Sequence, residues 1–310
     1  MSGIEDVWSG IRDKLAERGI GIVLTPAFVF WSGGLLAWAY SHGGMNGFTA
    51  LADWLVKRPV ILQFLLIAAA ILVISSSSVL IRPLIRPIIR ILEGYWPGWL
   101  SPLRNALIAR RDSRIQQYEQ LWQDLAGALE RSPENSRRYV ALDARLRRVP
   151  SLEQRMPTSL GDILRAAEAW PWHKYGLDAV KCWPHMWLVL PESARSEITD
   201  ARSRMDAGAC VFLWGTVFVI WTPWAWWAAP TAIFVAASAY LWCVNAAKNF
   251  GDVVEASFDV YRRDLYLALQ WPLPANPEDE KERGRTLTTY LWRGSHQPTP
   301  SFTPSPVPPE

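Results

Sequence analysis

AGACVFLWGTVFVIWTPWAWWAAPTAIFVAASAYLWCVNAA, residues 207–247, is a run of 41 positions without Asp, Glu, Lys, Arg or His. As one helix it would be about 60 Å long, twice the roughly 30 Å hydrocarbon core of a bilayer. Thr222-Pro223 and Ala229-Pro230 interrupt it, and proline removes a backbone donor and disfavours continued helix. Trp221, Trp224, Trp226 and Trp227 crowd the same place. An indole buries its ring among acyl chains while its N–H reaches the headgroups, so this turn is expected at a membrane surface. The stretch therefore predicts two spans, over 207–224 and 228–247.

Two further uncharged segments, 19–41 and 59–81, have spanning length. An average composition, 50% hydrophobic and 20% charged, conceals this partition. The expected fold is all-α, a four-helix transmembrane bundle with a helical cytoplasmic domain. Orientation follows from Lys and Arg near the spans. Arg12, Lys14, Arg18, Arg82, Arg86, Arg90, Arg195, Arg202, Arg204, Lys248, Arg262 and Arg263 fall on one side, against Lys57 and Arg58 on the other. That bias places both termini in the cytoplasm and leaves 42–58 as a short outer amphipathic loop. Residues 1–18 read as a charged cytoplasmic amphipathic segment, not a secretory signal, because Glu5, Asp6, Asp13 and Glu17 interrupt any apolar core. Cys182, Cys210 and Cys243 fall in the cytoplasmic segment or in spans, so no disulfide is expected.

Residues 82–206 are long enough for a helical domain with its own core. Ser101-Pro102 reads as a helix start. From there Ile115, Tyr118, Trp122, Leu125 and Leu129 form a stripe at helical spacing, closed by Ser132-Pro133. A shorter helix carries Tyr139, Leu142 and Leu146, and another runs from Thr158-Ser159 to Glu168. A helix from Pro191 is expected to continue into the third span. The fourth span extends as a cytoplasmic helix over 248–271 until Trp271-Pro272-Leu273-Pro274 stops it. A Pro-rich C-terminal region, 272–310, holds a short helix over 277–293 and a disordered tail.

Several strings resemble a known group. They are Met156-Pro157-Thr158-Ser159-Leu160-Gly161-Asp162, Tyr175-Gly176-Leu177-Asp178-Ala179-Val180, Trp183-Pro184 and Leu190-Pro191, with Phe250-Gly251-Asp252 through Tyr290-Leu291-Trp292-Arg293-Gly294. About half the chain resembles actinobacterial-type multi-pass membrane proteins to which no activity or cofactor is assigned. The resemblance implies a bacterial origin and nothing about mechanism.

Three groups of residues are candidates for function. Arg82, Arg86 and Arg90, spaced by four, share a helix face at the inner mouth of the second span if Pro83 and Pro87 permit a helix. The row suits anionic lipid headgroups. A sharper reading clasps it to Asp252, Glu255 and Asp259 beneath the fourth span, where two carboxylates at i,i+4 repel unless a cation intervenes. Ser75, Ser76, Ser77 and Ser78 are expected to bond back to carbonyls four residues earlier; the alternative is the lining of a pore. Trp170, Trp172, His173, Tyr175, Trp183, His185 and Trp187 form a dense aromatic cluster, read as a core or a surface at headgroup depth.

No nucleotide, zinc or hydrolase motif is present, so neither cofactor nor metal is expected and no enzymatic reaction is supported. A net charge of +3 gives no reason to expect nucleic acid as a partner. The spans hold no ionisable side chain at depth, which argues against ion-coupled transport. The expected function is that of a bacterial inner-membrane scaffold, sensor or effector working through its cytoplasmic domain. Its expected partners are anionic headgroups, a further copy of the chain and a cytoplasmic protein. The alternative is an oligomeric ion channel gated by the cytoplasmic helices.

Overall fold

A computed structural model describes residues 20–127, 132–295 and 301–302, and every regular element among them is helical. The amphipathic segment expected over 1–18, Leu129 of the apolar stripe and nearly all of the proline-rich tail lie outside the described residues. The helices are α1 (Ile20–Ser41), α2 (Met45–Val56), α3 (Val60–Glu93), α4 (Ser101–Gly127) and α5 (Pro133–Leu146). They continue as α6 (Ser159–Tyr175), α7 (Ala179–Val189), α8 (Glu192–Val217), α9 (Ala228–Ala268) and α10 (Pro277–Arg293). Three of them, α3, α8 with its 3-10 extension to Trp221, and α9, are long and apolar enough to cross a membrane.

The chain divides into two compact units. The first comprises Met1–Arg90 and Arg204–Cys243. Its core gathers Ala27 and Phe30 of α1, Cys210 and Trp214 of α8, Phe218, and Ala228 and Ala232 of α9. The Phe30 ring lies 4.8 Å from Trp214 and 5.6 Å from Trp221. Missing side chains set the approach of α8 to α9. A Cβ on Gly208 would meet Cys243 Sγ at 2.7 Å, and one on Gly215 would meet Val235 Cγ1 at 2.7 Å. Such small residues let helices pack closely where apolar burial gives no driving force. Away from this core the surface is greasy: Ile61 is 75% exposed, Phe64 69% and Leu72 68%. Pro83 and Pro87 do not break α3, which runs through both. Between α8 and α9 the chain tightens into the 3-10 turn Phe218–Trp221 and restarts at Ala228. Pro230 then falls in the first helical turn, where a missing N–H breaks no intrahelical bond.

The second unit comprises Ile91–Ser203 and Val244–Glu310. Its core joins Tyr175, Leu177, Cys182, Met186 and Leu190 to Phe258, Leu265, Tyr266 and Trp271 of the α9 segment and to Leu287 of α10. Side chains cap its helix starts. Ser132 accepts from Asn135 N–H, Thr158 from Gly161 N–H, Asp178 from Lys181 N–H and Asn276 from Asp279 N–H. Each satisfies a backbone donor that a helix end leaves orphaned. The helix expected to stop at Glu168 instead runs to Tyr175 through Pro171. Gly176, at φ 72°, ends it, with Gly176 N–H reaching Trp172 O and Leu177 N–H reaching Pro171 O. That left-handed glycine cap, rather than the proline, is the stop signal.

The same glycine marks a backbone-to-backbone crossing. A Cβ on Gly176 would strike the Lys281 carbonyl, and one on Gly284 would strike the Tyr175 carbonyl. Thr288, 3% exposed, bolts the crossing: its hydroxyl donates to Gly176 O at 3.2 Å and accepts from Asp178 N–H at 3.1 Å. Alanine at position 284 would gain about 1 kcal/mol of helix propensity. Overpacking against a backbone that cannot rotate away outweighs that gain. Gly284→Ala is therefore expected to lower stability by about 1–3 kcal/mol net, read as a fall in the melting temperature of the helical unit.

Candidate functional site

Within the second unit, four chain segments enclose a cavity of about 450 Å³. Helix α4 presents Arg111, Arg114, Ile115 and Tyr118, which share a face at steps of three and four. Helix α5 and the turn after it present Ala141, Ala144, Arg145, Leu146, Arg148 and Val149. The first turn of α6 adds Ser159, Asp162 and Ile163, and α9 adds Val244 and Lys248 one turn apart. Five cationic side chains thus face a single carboxylate. None of the five was singled out from the sequence, where 110–114 and 145–148 look like ordinary solvated charge runs. The available signal was that Arg111, Arg114 and Tyr118 recur at helical spacing.

Asp162 organises this site. It is 2% exposed, accepts the Met156 N–H at 2.8 Å and forms an ion pair with the Arg111 guanidinium. Arg111 also donates to the Ser159 hydroxyl at 2.8 Å. Burial raises the Asp162 carboxyl above its ordinary range, against the Met156 N–H and Arg111, which favour the charged form. Nearby Arg155 donates to the Pro150 carbonyl at 3.1 Å and pairs with Asp112 at 3.0 Å. Removing one partner of a buried pair leaves the other charge uncompensated. Asp162→Ala should therefore cost about 3 kcal/mol or more in denaturant unfolding. Adding Arg111→Ala should cost clearly less than the sum of the single changes, and strict additivity would deny the coupling.

The acidic residues set against the arginine row in the sequence reading are held by other cations. Arg148 donates to both Asp252 oxygens, at 2.9 and 3.2 Å. Arg147 lies 3.9 Å from Glu255. Asp259 takes Lys174 at 3.0 Å and the Tyr175 hydroxyl at 2.6 Å. These partners come from α6 and from the end of α5 and its turn, which pack beside the α9 segment within one unit. The i,i+4 repulsion of Glu255 and Asp259 is thus relieved locally. Charge coupling at Asp259 is accordingly expected with Lys174: a double-mutant cycle should give about 0.2–1 kcal/mol, modest because both side chains are partly solvated.

Arg82, Arg86 and Arg90 are exposed along α3, and Arg82 and Arg86 form no ion pair with a described residue. In the serine run, the Ser77 and Ser78 hydroxyls both donate to the Ile74 carbonyl at 2.8 Å. Ser77 also accepts the Trp31 indole N–H at 3.2 Å, and Ser78 is 3% exposed. Ser75 is half-buried and Ser76 exposed, as consecutive residues around a helix must be.

The aromatic cluster is divided by its chemistry. Trp183 and Trp187 pack on the unit's core, Trp183 against Phe258 at 6.1 Å. Trp170 lies beneath the Arg147 and Lys174 cations, and Trp172 beneath Arg285. Tyr175 is buried with its hydroxyl on Asp259. His173 is exposed and His185 half-buried. Among the described residues no three His, Cys, Asp or Glu side chains come together to hold a metal ion. Cys182 is fully buried beside the Thr288 hydroxyl, and burial pushes its thiol up to about 11, which keeps it protonated and inert. All three cysteines are free. Comparison with protein-family models, with characterised proteins and with solved structures yields no match for the chain.

Proposed function

We propose that the chain is a four-span protein of a bacterial inner membrane whose helical unit, on the cytoplasmic side with both termini, binds a ligand and so acts as a sensor or scaffold. The spans are 19–41, 59–81, 207–224 and 228–247, with α1 as the fourth membrane helix beside α3, α8 and α9. Two features support this placement: the uncharged lengths of these segments and the excess of Lys and Arg on one side of them. Bacterial origin follows from the resemblance in 156–191 and 250–294. The observation that carries the functional reading is the cationic cavity, a concave site with converging charge in the helical unit. Ser77 and Ser78, turned toward Ile74 and Trp31, serve packing and not a water-filled path. The exposed arginine row on α3 adds affinity for anionic headgroups.

The topology is tested with single cysteines introduced at exposed Asn46 and Ser113 in a chain whose own cysteines are replaced. An impermeant maleimide should label position 46 in intact cells and position 113 only after permeabilisation. The reverse pattern would refute the placement. Proteoliposomes should also be silent to ion flux, and a flux abolished by Ser77→Val would put the alternative, a pore, in its place.

A further inference from the structure

We propose that the cavity of the helical unit binds a phosphate ester carrying two or more negative charges, an assignment that rests on the sensor reading above. The charge balance around the cavity points to it. Arg111 is compensated by Asp162, and Arg148 by Asp252. Arg114, Arg145 and Lys248 form no ion pair with a described residue. Their contacts are neutral: Arg145 lies 4.2 Å above the Tyr118 ring and Lys248 donates to Asn245 Oδ1 at 3.1 Å. Three like charges converge from α4, α5 and α9 on one space, Arg114 and Arg145 exposed and Lys248 half-buried, and an anion seated between them would neutralise that concentration of charge.

The chemistry of the donors narrows the anion. A guanidinium offers a planar fork that matches two oxygens of one phosphate, and an ammonium adds a point charge to a third. A monocarboxylate would leave two of the three cations uncompensated; a phosphate monoester or diphosphate does not. Ile115, Ile163 and Val244 supply an apolar wall beside the charges, suited to the organic part of an ester. Position favours presentation from the bilayer. Val244 and Lys248 stand on successive turns of α9 where its uncharged stretch ends, which the proposed span 228–247 puts close to the lipid phosphates. A soluble phosphate ester has the same chemistry and differs only in its source.

The test uses the full chain in phosphatidylcholine nanodiscs, titrated calorimetrically with dihexanoyl phosphatidic acid, inorganic pyrophosphate and, as reference, dihexanoyl phosphatidylcholine. One phosphatidic acid per chain is expected, with affinity falling as salt rises. Arg114→Glu and Lys248→Glu should each weaken it by about tenfold or more, about 1.4 kcal/mol. Arg263→Glu, exposed on α9 and outside the cavity lining, should leave it unchanged. Arg114→Gln, which removes charge without reversing it, should give a smaller loss and guards against misfolding as the cause. Binding of phosphatidic acid alone supports a headgroup as the source, and binding of pyrophosphate as well supports a soluble ester. Failure of both probes, equal affinity for the phosphatidylcholine reference, or indifference to both glutamate substitutions overturns the proposal. The maleimide pattern reports separately: binding retained with position 113 labelled from outside would overturn the cytoplasmic placement and leave the cavity's ligand standing.

Discussion

Asp162 brings a carboxyl group into the interior of the helical unit, where an uncompensated charge is far more costly than any single packing contact can offset. Its environment answers that cost from three directions. The chain before α6 turns so that Met156 N–H points at it, α4 delivers Arg111, and the guanidinium is steadied by Ser159. Arg111 is committed inward and Arg148 to Asp252, while Arg114, Arg145 and Lys248 form no ion pair with a described residue. The same logic holds along the α9 segment, where Asp252 and Asp259 take cations from the turn after α5 and from α6 and so tie those segments to it.

The first unit obeys a different constraint. Three of its helices are of spanning length and composition, and in hydrocarbon every backbone donor must find an acceptor within its own helix while apolar burial no longer drives helices together. Packing there depends on fit: glycines at 33, 34, 208 and 215 are each met by a side chain of an adjacent element. Serine hydroxyls that have no business with lipid are absorbed by backbone carbonyls or by an indole N–H.

Helix existence and helix starts were legible because they are written locally. Thr158-Ser159, read as a helix start, opens α6, and Ser132-Pro133, read as a helix end, caps the start of α5. Uncharged length likewise announces α3, α8 and α9 without tertiary knowledge. Ends were less legible: α6 outran its expected stop because Gly176, not Pro171, supplies the left-handed residue that terminates it. Charge partners were the least legible. Asp252 meets a side chain 104 positions away, and that pairing depends on which helices of the unit lie side by side. Arg111, Arg114 and Lys248 escaped for the same reason, since convergence from three helices leaves no local pattern.

The helical unit is assembled from two stretches separated by residues 204–243, and its core is shared between Tyr175, Cys182 and Leu190 in the first and Phe258, Trp271 and Leu287 in the second. Asp178 N–H waits for the hydroxyl of Thr288, 110 positions later. During synthesis the earlier helices thus emerge with their apolar faces bare and stay so until residues 204–243 and α10 have been made. Folding of the helical unit therefore waits on the stretch that interrupts it. A lesion in that stretch would first appear as aggregation or proteolysis of a part of the chain remote from it in sequence.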